Sequence, residues 1–265
     1  MPNSTAYNET CANIANAMFN WRMLAAKGEA RYGDIMELVL YNSALSGIGV
    51  DGKSYFYANP LRVTSKARED TETEFFTRKP YIECFCCPPN LVRTIAKSSG
   101  WAYSVAENGV SVNLYGSNTL NSRLQDRSAI ALTQDTQYPW DGKVTLTVDV
   151  CKDEAFDIML RIPGWAADST VLVNDQDAGI AVMPGTFATI TRAWKAGDVV
   201  ELDMPMEPKL LVGHPRIEET RNQAAIKRGP VVYCVETPDL PEGTSILDVY
   251  LPSDVTLAGD DRPAF

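Results

Sequence analysis

The apolar periodicity of this chain changes once, near residue 100, and that change limits the fold more than any other feature. Before it, apolar residues recur with a helical period; from Trp101 onward they recur at every second position. Helices therefore come first and a β-rich part follows. The boundary is expected near Gly100, which divides the chain into residues 1–100 and 101–265.

Three helices are predicted in the first part. Cys11, Ile14, Ala15, Met18, Phe19, Arg22 and Ala25 mark the first, interrupted in apolarity only at Arg22, and Gly28 follows Lys27 as a stop. The second is expected from Ala30 to Ser46, with Tyr32, Ile35, Met36, Val39 and Leu40 on one face and Gly47 and Gly49 at its end. The third opens at Pro88-Pro89, where a missing N–H is tolerated, and carries Leu91, Val92, Ile95 and Ala96 up to Gly100. Between the second and third, Tyr55-Phe56-Tyr57 reads as extended and Arg62 to Lys79 as a charged surface loop. The apolar faces are wide and the partner surface is small, so this part reads as a piece of a larger helical domain.

In the second part Val110, Val112 and Leu114, then Val144, Leu146, Val148 and Val150, alternate with polar neighbours. Phe187, Thr189, Val199, Glu201, Leu202 and Met204 continue the habit, and Gly164, Gly185, Gly197-Asp198 and Gly229-Pro230 punctuate it. Short strands at this spacing predict an antiparallel β-sandwich, and the whole is expected to be an α+β multidomain chain.

Several function classes are argued against. The formal net charge of -10, with no Lys/Arg run to interrupt it, argues against a phosphate-tracking surface, so no nucleic-acid partner is expected. No apolar run reaches the roughly 18 residues of a membrane helix, so no membrane partner is expected. The single histidine, His214 in Val212-Gly213-His214-Pro215, reads as a loop residue, which removes histidine-rich metal sites and most Ser/His/Asp catalysis.

What chemistry remains is concentrated in Tyr81-Ile82-Glu83-Cys84-Phe85-Cys86-Cys87-Pro88-Pro89-Asn90, with Glu9-Thr10-Cys11 far upstream. Three thiolates and a carboxylate are ligands for a zinc-type ion, and Glu9, Cys11, Cys86 and Cys87 would supply four of them if the two segments converge. Both pairs would then lie at helix starts, whose positive ends favour anions. Spacing alone leaves three readings open: metal binding, packing as small hydrophobes, and thiol redox sensing. Adjacent Cys86 and Cys87 cannot bridge each other without strain. Cys151 and Cys234 lie in strand-like runs and read as core.

Thr5-Ala6-Tyr7-Asn8-Glu9-Thr10-Cys11-Ala12, Phe19-Asn20-Trp21-Arg22-Met23, Tyr57-Ala58-Asn59-Pro60-Leu61 and the Cys84 to Asn90 run together resemble the β-L-arabinofuranosidase family, glycoside hydrolase family 127. Leu160-Arg161-Ile162-Pro163-Gly164-Trp165-Ala166 and Ala225-Ile226-Lys227-Arg228-Gly229-Pro230-Val231-Val232-Tyr233 are similar to that family's β-domains. The resemblance implies the C-terminal part of an (α/α)6-barrel catalytic domain in residues 1–100, followed by a β-sandwich region in 101–265 that divides into two β-subdomains. It implies zinc (Zn2+) held by Glu9, Cys11, Cys86 and Cys87, with Cys86 as a nucleophile in a retaining hydrolysis of an arabinofuranose-containing saccharide. Cys84 is not an implied ligand, and Tyr57 is a candidate sugar contact or a core residue. The family's acid/base glutamate would fall upstream of Met1, so the chain is expected to be truncated and to need an upstream chain that completes the barrel. The alternative is a non-catalytic remnant in which zinc is structural and the sandwich packs on, or binds, carbohydrate. Zinc thiolates favour a reducing compartment.

Overall fold

The computed structural model describes residues 6–59, 61–62, 77–106 and 108–259. Most of the segment expected as a charged loop, residues 63–76, lies outside the described residues, as does Pro60. Among the described residues, helices α1 (Thr10–Lys27), α2 (Ala30–Leu38) and α3 (Cys87–Ser98) precede thirteen strands. No helix among the described residues is long and apolar enough to cross a membrane.

Gly28 ends α1 as expected. It takes φ +66°, a conformation costly for any residue with a Cβ, and its N–H reaches the Leu24 carbonyl at 2.8 Å. Beyond α2 the helical path loosens into a π turn at Val39–Ala44 and tightens into a 3-10 turn at Leu45–Gly47. Asn42 within the π turn donates to the Pro230 carbonyl at 3.0 Å and accepts the Val232 N–H at 2.7 Å.

The buried helical faces match the predicted ones only in part: Ile14, Met36, Val39 and Leu91 are buried as expected, but other positions are not. In α1 the buried positions are Thr10, Ile14, Ala17, Asn20 and Leu24, whereas Met18 and Phe19 are exposed, Phe19 by 61%. In α2 Gly33, Met36 and Glu37 are buried and Ile35 and Leu38 are exposed; in α3 Leu91 and Thr94 are buried and Val92 and Ile95 are exposed. Each helix is apolar on two faces, and periodicity cannot say which face turns inward.

The chain divides into two compact units. One comprises Ile14–Leu40 and Val92–Met206; the other comprises Met1–Asn13, Tyr41–Leu91 and Glu207–Phe265. The first holds the β-sandwich. Its four-stranded sheet has the order β1 (Tyr103–Ala106), β2 (Gly109–Val112), β6 (Phe156–Ile162), β9 (Thr186–Arg192). Its six-stranded sheet has the order β3 (Asn118–Arg123), β4 (Ala129–Thr136), β5 (Lys143–Val150), β10 (Val199–Asp203), β7 (Thr170–Val173), β8 (Gln176–Asp177). Val112 and Leu160 of one sheet meet Val144, Leu146, Val200 and Leu202 of the other. Burial of these side chains is the driving force for closing the sandwich.

The pairing is antiparallel except between β2 and β6, which run parallel, Val110 opposite Ile158. That pair departs from the expected antiparallel sandwich: three strands of the other sheet intervene in sequence, and that crossover lets β6 return in the same direction. The inward residues of β9 and β10 are Ala188, Ile190, Val200 and Leu202, so Phe187, Thr189, Val199 and Glu201 belong to the outer face. In the other unit a separate antiparallel sheet joins β11 (Lys209–Val212), β12 (Ala224–Arg228) and β13 (Val231–Tyr233).

Arg161, fully buried, is the most demanding residue of the sandwich unit. It donates to Asp34 at 2.5 Å, to Glu37 at 2.5 Å and to the Asn113 carbonyl at 2.6 Å. Burial opposes its charge, but Glu37, Tyr138 and Asp34 outweigh burial and raise its pKa. Glycine at 33 makes room for it: a Cβ there would lie 2.5 Å from Arg161 Cδ. Gly33→Ala should therefore destabilise the chain by about 1–3 kcal/mol, although alanine is the better helix former. A raised urea midpoint in that variant would contradict this packing.

Candidate metal centre

Three segments of one unit build the centre. Glu9 sits immediately before α1 and forms an isolated bridge with Ala58. The Thr10 N–H donates to the Tyr57 carbonyl at 2.9 Å, the Thr10 hydroxyl to the Phe56 carbonyl at 3.0 Å, and the Asn59 N–H to the Asn8 carbonyl at 3.0 Å. This stitching fixes Glu9 and Cys11 against the extended 55–59 segment, which also pairs with Ile48 and Lys79 through Tyr55. The third segment turns tightly at Cys84–Cys86 and enters α3 at Cys87. Two prolines follow at the first helical positions, and the Asn90 N–H bonds back to the Cys86 carbonyl at 3.3 Å.

One ligand atom each from Glu9, Cys11, Cys86 and Cys87 lies within 4.8 Å of the others. Cys86 Sγ is 3.6 Å from Cys87 Sγ and 4.0 Å from Glu9 Oε1, and Cys87 Sγ is 3.9 Å from the same oxygen. Donors sharing a tetrahedral ion through bonds of about 2.0–2.3 Å stand roughly 3.5–3.8 Å apart, so this set fits one ion with small adjustments. The cluster can hold a metal ion. The start of α3 adds positive helix-end potential next to Cys87.

The four residues differ in access: Cys87 is buried, Glu9 and Cys11 are half-buried, and Cys86 is exposed. Burial above all pushes the Cys87 thiol well above its ordinary pKa, with its side-chain hydrogen bonds to Cys11 and Cys86 contributing. Tyr57, half-buried, turns its hydroxyl to within 3.3 Å of the Tyr7 hydroxyl, which itself donates to Glu9 at 2.9 Å. The hydrogen bond that the Tyr57 hydroxyl shares with Tyr7, then burial, raise the Tyr57 pKa far beyond the working range, so it stays a neutral phenol. Cys84 Sγ is 4.0 Å from Cys86 Sγ but is not one of the four converging ligands.

His214 is an exposed loop residue whose Nδ1 accepts the Arg216 N–H at 3.2 Å. The expectation of buried Cys151 and Cys234 is corrected. Cys151 is half-buried beside the Trp194 carbonyl, and Cys234 is exposed because β13 ends at Tyr233. One participant escaped sequence reasoning: Tyr7, as the partner of Glu9. For Tyr7 the one available signal was its place two residues before Glu9.

Comparison with known proteins covers nearly the whole chain in order. Residues 1–100 match the family model for the β-L-arabinofuranosidase GH127 catalytic domain, residues 109–206 the GH127 middle domain, and residues 208–260 the glycoside hydrolase family 127 C-terminal domain. A non-reducing end β-L-arabinofuranosidase of Bifidobacterium longum subsp. longum is 32% identical over 249 residues, covering 91% of this chain. The chain spans 37% of that protein's length. Among solved structures, a GH127 β-L-arabinofuranosidase from Geobacillus stearothermophilus T6 superposes with a TM-score of 0.87 at 37% identity, over 96% of this chain and 40% of its own. A chain described as a glycoside hydrolase gives 0.86 at 48% identity, over 93% of this chain and 41% of its own.

Proposed function

The chain belongs to the β-L-arabinofuranosidase family, glycoside hydrolase family 127, and from that premise we propose that it carries the thiolate half of a retaining arabinofuranosidase site with Cys86 as nucleophile. The observation that carries the reading is that Glu9, Cys11, Cys86 and Cys87 converge within 4.8 Å and that, of the four, Cys86 is the exposed one. A nucleophile must be reached by its substrate; the other three are placed to hold.

Cys86 Sγ attacks the anomeric carbon of an arabinofuranoside, the bond to the leaving oxygen breaks, and a thioglycosyl residue forms on Cys86. Water then attacks the same carbon, the C–S bond breaks, and two inversions give net retention. Zinc suits this donor set and, when bound, supplies the positive charge that keeps its thiols deprotonated. Tyr57, a neutral phenol beside Tyr7 and Glu9, is the candidate sugar contact in this reading. The leaving oxygen needs a proton, a contribution worth about 10²–10⁴ in rate. We assign that duty to a segment outside these residues, supplied by the rest of an (α/α)6 barrel or by an upstream chain that completes it. The exposed Met18, Phe19, Val92 and Ile95 support reading residues 1–100 as part of such a barrel, since apolar helix faces are otherwise covered. We read residues 101–265 as two β-subdomains, the sandwich that ends at Met206 and the separate three-stranded sheet after it.

Treatment with an electrophile derived from arabinofuranose, followed by peptide mapping, should place the label on Cys86 and lose it in Cys86→Ser. A label carried by another residue in the unsubstituted chain would remove Cys86 from this role. One observation favours a second reading: four protein ligands make a closed site, the usual pattern of structural metals. In that reading the chain is non-catalytic and the sandwich packs on, or binds, carbohydrate; metal would be bound and no residue labelled.

A further inference from the structure

We propose that Cys84 is a resolving thiol, which under hydroperoxide captures Cys86 in a reversible Cys84–Cys86 disulfide and withdraws that sulfur from the ligand set. The inference rests on the reading of Cys86 as the reactive thiol and adds a means of protecting and silencing it.

Cys84 and Cys86 are both exposed, with sulfurs 4.0 Å apart. The Cys86 N–H donates to the Cys84 carbonyl at 2.9 Å, which holds the turn closed, and the intervening Phe85 ring stacks on Tyr81 at 5.6 Å. Forming the bond needs the sulfurs to approach by about 2 Å, within reach of side-chain rotation. Cys87 is nearer to Cys86, at 3.6 Å, but it is buried, and a bridge between adjacent residues is strained. Cys84 is therefore the partner that is both reachable and unused by the metal cluster.

The chemistry closes in two steps. The Cys86 thiolate attacks one oxygen of the hydroperoxide; an S–O bond forms, the O–O bond breaks, and hydroxide or alkoxide leaves. The Cys84 thiolate then attacks the Cys86 sulfur; the S–S bond forms, the S–O bond breaks, and hydroxide leaves to become water. The two sulfurs together lose two electrons, which the hydroperoxide accepts.

The test uses the reduced chain, with and without zinc, treated with hydrogen peroxide, alkylated and digested with trypsin. The peptide of residues 79–93 contains all three cysteines of the cluster segment. It should lose two hydrogens and carry alkyl label on Cys87 alone, and dithiothreitol should restore labelling at Cys84 and Cys86. In Cys84→Ser, Cys86 should instead proceed to sulfinic acid, which dithiothreitol does not reverse. Sulfinic acid at Cys86 in the unsubstituted chain at the rate seen in Cys84→Ser, or a bridge to Cys87 or Cys11, would overturn the proposal. The zinc content of the reduced chain is read separately. If zinc is bound and no Cys84–Cys86 bridge forms, this inference alone fails; if peroxide forms the bridge in a chain that held no zinc when reduced, the metal reading fails, and with it the withdrawal of a ligand, while the thiol pairing stands.

Discussion

The Arg161→Met variant is expected to lose about 3–5 kcal/mol of stability, because it leaves a buried carboxylate without its cation. Glu37 carries most of that loss. Its side chain is 2% exposed, and without Arg161 it keeps the Tyr138 hydroxyl at 2.6 Å and the Trp165 indole N–H at a long 3.4 Å. Asp34 suffers less, since its side chain is 25% exposed and accepts the Gly164 N–H at 2.9 Å. Replacing both ends, as in Arg161→Met with Glu37→Met, should recover much of the loss, because a buried ion pair gains little over apolar side chains of similar volume. Urea midpoints of the single and double variants check this. A loss below about 1 kcal/mol in Arg161→Met would mean that water solvates the cluster and that it does not anchor α2 within its unit.

Acidification should strip metal from the centre steeply. Burial raises the Cys87 thiol above its ordinary pKa, so in the metal-free chain Cys87 holds its proton at neutral pH, and an ion that takes the thiolate must displace it. The sign follows: the proton belongs to the metal-free form, so lowering the pH favours that form. Raising the pH toward the elevated Cys87 value favours binding. Each displaced proton contributes about a tenfold change in apparent affinity per pH unit, so a slope of at least about one logarithmic unit per pH unit is expected across pH 6–8. Competition with a chromophoric chelator at several pH values measures it. A flat profile would mean that Cys87 is not a ligand.

Local punctuation in the sequence was legible where it acts on its own. Gly28 after Lys27 and Pro88-Pro89 before Asn90 mark helix ends that need no tertiary partner. The inward faces were not legible, because α1 carries Ile14, Ala17 and Leu24 on one side and Met18 and Phe19 on another. The β period revealed Val144, Leu146 and Val148 as core, but it shifted the register on β9, where Ala188 and Ile190 point inward between β-favouring neighbours. Arg161 pairs with residues 127 and 124 positions away, and no local pattern records a contact of that range. The metal cluster lies between these cases. Residue types suggested ligands, spacing left packing and redox sensing as alternatives, and only motifs taken together with family resemblance singled out Glu9, Cys11, Cys86 and Cys87.

The ratio of zinc to protein in the purified, reduced, monodisperse chain, compared with Cys86→Ser and Cys11→Ser, tests the centre most directly. A ratio near one that falls in both variants is the expected result, since both sulfurs belong to a set whose ligand atoms lie within 4.8 Å. A ratio near zero in well-folded protein, or one that neither substitution lowers, would contradict the account.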